Sequence, residues 1–313
     1  MILITGGMGF IGLHTARSLL DMGQDVVLTQ HRARREPDFL KDEIGKRITI
    51  DSMDVTNTYE VQEVVRRHKV DAIISLVAPP VRGATPRGDM QVYTVGLLNL
   101  LEASRINEVP RLLLASSVSV YTGLAQGPYS ESDLLPIESK NQVEAFKKAM
   151  ETLALHYGDR TSLNVASLRI GSIYGPMYYS MFNLPSRLTH AAVKSAEPDY
   201  AAGVPFTDDE ADWCYVKDLA KGVAQLATAP KLNHRIYNLG GGQGFNNTQI
   251  LAAVQKAVPG FDAPLQAGLS PAGKTGVVMD NTRAKEDVGY APTYDIERGV
   301  ADYAEWLKAG NPQ

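Results

Sequence analysis

The sequence predicts an α/β fold, a doubly wound parallel sheet with a smaller C-terminal lobe. Three observations predict it. Short, unbroken apolar runs alternate with helix-like segments through the first half of the chain. A glycine-rich turn joins the first run to the first helix. After about residue 175 that rhythm stops. Strands of a parallel sheet are covered by helices on both faces, so they read as continuous branched runs rather than alternating ones.

The runs are "MILIT" (1–5), "DVVLT" (25–29), "RITI" (47–50), "DAIISLV" (71–77), "RLLLASS" (111–117) and "NVASLRI" (164–170). Each is bounded by Gly, Pro or charge, as buried strands are. Helical segments are expected near 10–22, 57–68, 88–108 and 138–157. Further on, "GPMYYSMFNLP" reads as loop, 185–194 as helix and "DYAAGVPF" as a short hairpin. Residues 216–228 read as helix, "RIYNLG" as strand, 248–257 as helix and 264–273 as loop. The expected division is a dinucleotide-binding part over 1–175 and a substrate-binding lobe over 176–313, with the chain crossing between them.

Composition narrows the function classes. The chain has 313 residues, 44% hydrophobic and 21% charged, enough to bury a core without disulfides or metals. A formal charge of −4 gives no basic footprint for nucleic acid. No apolar run has the length of a membrane span, and the apolar start lacks the charged flank of a signal peptide. A cytoplasmic location is expected. The single Cys214 permits no internal disulfide and has no histidine placed to activate it, so it reads as a packing residue. The six histidines are scattered, so no metal site is expected. The carboxylates of "TDDEAD" (207–212) read as a solvated turn with one strand-entry Asp.

The turn "ITGGMGFIGLHTARSLL" spaces Gly6, Gly9 and Gly12 as G-x-x-G-x-x-G. It follows a strand, and Phe10 and Ile11 open a helix. Glycines let the backbone approach a pyrophosphate, and a helix N-terminus offers free N–H groups and the positive end of its dipole. This makes the sheet Rossmann-type. An acid at the end of the second strand accepts from both ribose hydroxyls of NAD, whereas arginine there favours the 2′-phosphate of NADP. Gln30 takes the acidic position. His31, Arg32, Arg34 and Arg35 follow, which points to NADP, with NAD as the alternative and Arg32 as the phosphate partner. Asp54 and Val55 close the third strand, where Asp54 suits an adenine amino group. Val77, Ala78, Pro79 and Ile173 complete the expected cofactor wall.

"TGGMGFIG", "DV" at 54–55, "LLLASSVSVY", the lysine of "SKNQVE", "LRIGSIYGP", "DWCYVKDLA" and "NLGGG" occur in an order that resembles the extended short-chain dehydrogenases/reductases. The branch is the NAD(P)-dependent sugar epimerase/dehydratase family, and the resemblance runs through "GYAP" (289–292). It implies a Ser or Thr that holds the substrate oxygen and a Tyr that moves the proton. It also implies a Lys, four residues after the Tyr, that binds nicotinamide ribose and lowers the phenol pKa. Ser117 matches the hydroxyl, with Ser119 expected on the same strand face, and Lys140 matches the lysine. The tyrosine position is then Pro136, which has no proton to move. Tyr121, Tyr174, Tyr178 and His190 are candidate replacements, as is a water held by Ser117 and Ser119. Tyr121, Ser172 and Tyr174 join Ser117 and Ser119 as expected substrate contacts.

Other departures point away from nucleotide sugars. Ala211 replaces the arginine before the Asp of "DWCYV", Tyr93 replaces an Asn on the fourth helix, and Ser172 replaces the Asn of "NVYGP". The resemblance thus implies an NAD(P)-binding, epimerase/dehydratase-like enzyme acting on a small carbonyl or hydroxyl substrate with atypical acid/base chemistry. A redox-neutral lyase, hydratase or hydrolase, or a non-catalytic NADP sensor, remain alternatives. It also implies a homodimer built on 88–108 and 138–157. In the latter, Val143, Phe146, Met150, Leu153 and Tyr157 form one apolar stripe.

Overall fold

The computed structural model describes residues 1–31, 38–79, 85–125, 127–200 and 203–311. In chain order its strands are β1 (Ile2–Thr5), β2 (Val26–Gln30), β3 (Ile48–Ser52), β4 (Ala72–Ser75) and β5 (Leu112–Ser117). They continue as β6 (Val165–Ile170), β7 (Ser172–Tyr174), β8 (Glu210–Tyr215), β9 (Ile236–Leu239) and β10 (Gly244–Asn246). The helices are α1 (Phe10–Asp21), α2 (Thr58–His68), α3 (Pro86–Met90), α4 (Gly96–Ile106) and α5 (Gln142–Thr161). They continue as α6 (Leu184–Val193), α7 (Val216–Thr228), α8 (Asn247–Ala257), α9 (Thr282–Val288) and α10 (Ile296–Lys308).

Seven strands form one parallel sheet in the order β3-β2-β1-β4-β5-β6-β9. The apolar runs are buried on both faces. In β1, Ile2 and Ile4 enter the core that includes α1 and α7, while Leu3 enters the core under α2, α4 and α5. Val26 and Leu28 against Val27 repeat that alternation in β2. The chain leaves the sheet after β6 and returns to it as β9, so its outer strand comes from beyond residue 175.

A three-stranded sheet, β10-β8-β7, joins α6, α8 and α10 in a third core around Tyr174, Leu188, Tyr215 and Tyr303. The hairpin expected over 199–206 is not what its described residues form. Phe206 instead bridges Gln266, and the Gln266 N–H donates to Pro205 O at 2.8 Å. Its partner is the loop expected at 264–273, too distant in sequence for local turn chemistry to reveal.

The expected helix at 88–108 is interrupted. Between α3 and α4, residues Gln91–Val95 form a π-helical turn. The helix expected from 138 begins four residues later, because Asn141 is its cap and accepts the Glu144 N–H at 3.1 Å. The stretch before it is tied down as loop. Lys148 Nζ donates to Pro136 O at 2.5 Å and Glu138 O at 2.9 Å, while the Lys140 N–H donates to Glu144 at 3.0 Å.

Candidate functional site

The C-terminal ends of β1, β2, β3, β4 and β5 open on one side of the sheet, and the glycine turn sits among them. Gly6 has φ +68°, and a Cβ there would lie 3.2 Å from the Leu76 carbonyl and the Val77 nitrogen. A Cβ on Gly12 would lie 2.6 Å from Gly7 O. These positions need glycine because the turn is pressed between its own helix and the end of β4. Gly9 caps α1 without a side-chain hydrogen bond, so the cap leaves the first-turn N–H groups near Phe10 and Ile11 open to a ligand. This cradle fits a pyrophosphate.

Gln30 ends β2, half-buried, and hydrogen-bonds through its carbonyl to the Met53 N–H at 2.9 Å. His31 is exposed, with Nε2 3.4 Å from Asp54 Oδ2. Asp54 Oδ1 accepts from the Thr56 N–H and hydroxyl at 2.9 and 2.8 Å, which fixes the carboxylate at the end of β3. Val55 is buried against Gly96 of α4. Val77 is half-buried, Ala78 exposed and Pro79 half-buried beyond β4. Ile173 is buried in β7 opposite Cys214. Arg32, Arg34 and Arg35 lie outside the described residues.

Ser117 ends β5, half-buried, and its Oγ accepts the Ser119 N–H at 3.1 Å. That bond caps a 3₁₀ turn over Val118–Tyr121, so Ser119 leaves the strand and does not share its face. Among the described residues, the Ser116 and Ser119 hydroxyls are shielded and without a partner.

Lys140 is exposed and precedes α5, so it shares no helix face with Pro136. The lysine that points inward is Lys147, 7% exposed. Its Nζ donates to Ala115 O of β5 at 2.5 Å. One turn later, Glu151 receives the Arg169 guanidinium at 2.9–3.2 Å. Burial holds Lys147 down to about 8, against the opposing pull of Glu151. The spacing K-x-x-x-E occurs twice, at Lys140/Glu144 and at Lys147/Glu151, seven residues apart. Sequence reasoning took the first. The signal for the second was "LRIGSIYGP", whose Arg169 needs a buried acid. Val143 stands one turn before Lys147 and is 37% exposed. In either register, the position four residues before the lysine carries no hydroxyl.

The proposed proton donors separate. Tyr121 is buried, its hydroxyl donating to Asn238 at 2.7 Å and accepting from Arg169 at 2.9 Å. Desolvation raises it to about 12. Tyr174 is fully buried in the third core, and burial pushes its phenol well up. His190 pairs with Tyr303 at 2.7 Å, deep between α6 and α10. Of the four, Tyr178 is the one whose ring meets the glycine turn, edge-on to Phe10 at 5.3 Å. Ser172 opens β7 opposite Trp213, half-buried.

One acid was underrated. Asp212, 1% exposed, accepts the N–H groups of Gly241, Gly242 and Met279, the last at 2.8 Å. It is the strand-entry Asp of 207–212, and it fastens β8 to two loops. Ala211 beside it presents no cation. Among the described residues, no group of His, Cys, Asp and Glu is arranged to hold a metal ion.

The chain is 26% identical to the UDP-glucose 4-epimerase of Mus musculus over 98% of this chain and 96% of that one. It is 28% identical to the Caenorhabditis elegans UDP-glucose 4-epimerase over 100% and 98%. Its fold is shared by the Thermotoga maritima UDP-glucose 4-epimerase solved with UDP-glucose, at TM-score 0.82 and 20% identity over 99% of each chain. It is also shared by MoeE5 in complex with UDP-glucose and NAD, at TM-score 0.81 and 22% identity over 99% of each. The family model for the NAD dependent epimerase/dehydratase family matches residues 2–240. With the glycine cradle, the seven-stranded parallel sheet and these likenesses in agreement, the chain belongs to the NAD dependent epimerase/dehydratase family of enzymes.

Proposed function

We propose that this chain binds a nicotinamide dinucleotide across the glycine turn and acts on a small carbonyl or hydroxyl substrate, without the usual phenol as acid/base. The observation that carries this reading is Lys147, buried beside β5 with Val143 one turn before it. Lys147 takes the role that sequence resemblance gave to Lys140. Gly6, Gly9, Phe10, Ile11 and Gly12 would hold the pyrophosphate, and Asp54 the adenine. Gln30 and Arg32 favour NADP over NAD, since no carboxylate ends β2. When bound, the nicotinamide supplies hydride transfer. The chain's own part is to hold the substrate oxygen with Ser117 and to move a proton at that oxygen. Tyr178, beside the glycine turn, is a candidate carrier. A redox-neutral reaction is the second reading, and the missing phenol favours it.

Ala211 leaves no guanidinium beside β8, so UDP, dTDP and GDP sugars are expected to bind weakly. The second copy of a homodimer would cover Val95, Leu98 and Leu153, which are 40–53% exposed on the π-turn, α4 and α5.

Calorimetric titration tests the cofactor. NADP(H) is expected to bind more tightly than NAD(H), and Arg32→Asp to reverse the order. Equal affinity or a preference for NAD overturns the NADP assignment. Binding of neither overturns the dinucleotide site.

A further inference from the structure

We infer that Tyr93, in the π-helical turn between α3 and α4, is a positioning residue that fixes the Lys147 ammonium through its ring face. The inference rests on Lys147 being the working lysine of the proposed function.

The observations are geometric. Lys147 Nζ lies 5.4 Å from the centroid of the Tyr93 ring. Tyr93 is 3% exposed and stacks on Phe146, the residue before Lys147, at 4.8 Å and 19°. The ring is thereby held by one neighbour of the helix while it faces the next. A π-turn adds a residue to the helical circuit and re-aims side chains, and such turns recur at functional sites. Here it begins one residue after Met90 and carries Tyr93 inward onto α5.

An ammonium with a single hydrogen bond, to Ala115 O, keeps two N–H groups to place. A buried charge is tolerated only when its surroundings replace water. The negative face of an aromatic ring does part of that, and does it better in a desolvated place. The charged and titratable groups around Lys147 are few. Glu151 on its own helix is shared with Arg169 of β6. Asp89, one turn before Tyr93 on α3, acts on the Tyr93 phenol, which desolvation raises first and Asp89 second. From β5 the contact is a neutral carbonyl. The ring therefore sets how readily Lys147 holds its proton and where the remaining N–H groups point. In a site without a phenol at position 143, that controls the ammonium held against Ala115 of β5, Ser117's own strand.

The experiment follows the titration of Lys147 by NMR in the full chain labelled at lysine Cε, with the resonance assigned by its loss in Lys147→Met. Tyr93→Phe keeps the ring and is expected to keep the Lys147 pKa. Tyr93→Leu removes it and is expected to lower that pKa by about 0.5–1 unit. A ring-fluorinated phenylalanine at position 93 preserves shape but weakens the ring's negative face, so it should lower the pKa even if Tyr93→Leu fails to fold. An unchanged pKa in the fluorinated protein, or an equal drop in Tyr93→Phe, overturns the inference. This titration needs no cofactor, so it stands apart from the failure of NAD(P) binding. As a second readout, Tyr93→Leu is expected to weaken nicotinamide dinucleotide binding several-fold, with Tyr93→Phe restoring it.

Discussion

At the scale of single residues, the site turns on Lys147 and Val143. The pKa of Lys147 falls from 10.5 to about 8 because its ammonium is buried. Between those values the unfolded chain binds more protons than the folded one, so stability rises with pH across that window. Below pH 8 the buried ammonium costs about 3 kcal/mol. Lys147→Met is therefore expected to stabilise the protein at pH 7, and the gain should vanish above about pH 10.5. Denaturant melts at the two pH values measure it, and a destabilised mutant at pH 7 would contradict the burial argument. Val143→Tyr places a phenol one helical turn before Lys147. It is expected to gain NADPH-dependent reduction of small activated ketones, while Val143→Phe gains none. Pro136→Tyr, seven residues upstream in the loop, should gain none either.

At the scale of the element, α1 shows how the helix after the glycine turn is anchored from behind. His14 is 5% exposed, and its Nε2 donates to Pro176 O at 3.1 Å, joining the glycine helix to the loop after β7. Burial lowers His14 from 6.5 to about 4, so the fold holds it neutral while the unfolded chain protonates it. Stability contributed there is present above pH 6.5 and is lost as pH falls toward 4. His190, also lowered to about 4 by burial, adds a second loss in the same window. His14→Gln is expected to flatten the acid limb of the stability curve by up to about 3 kcal/mol at pH 4. An unchanged acid limb would mean that the ring is solvated in the native protein. α5 teaches a related lesson. Its apolar stripe does not act as one surface, for Met150 is buried while Leu153 is exposed.

At the scale of the molecule, the neighbouring helices α4 and α5 each present an exposed apolar side chain. Leu98 of α4 and Leu153 of α5 are each 53% exposed. If a second copy covers them, Leu98→Lys with Leu153→Glu should convert a dimer to a monomer in sedimentation velocity. The fold should survive, because neither side chain belongs to a core. A wild type that already sediments as a monomer would sink the dimer proposal.

The alternation of apolar runs, the glycine turn and the order of motifs settled the parallel sheet, because each is a local consequence of burial on two faces or of close backbone approach. That Ser117 ends a strand was legible for the same reason. The lysine was not. "SKNQVE" and "FKKAME" offer the same spacing, and nothing within either stretch says which faces the sheet. Asn141 as the cap acts locally, but Lys148 holding residues 136–138 in a loop and Arg169 of β6 claiming Glu151 decide it through contacts with residues outside either stretch. The bridge that stands in place of the expected hairpin was equally hidden, since Phe206 finds its partner at Gln266, sixty residues on. Local sequence determines which face of a segment is apolar, but only packing determines which residue meets which.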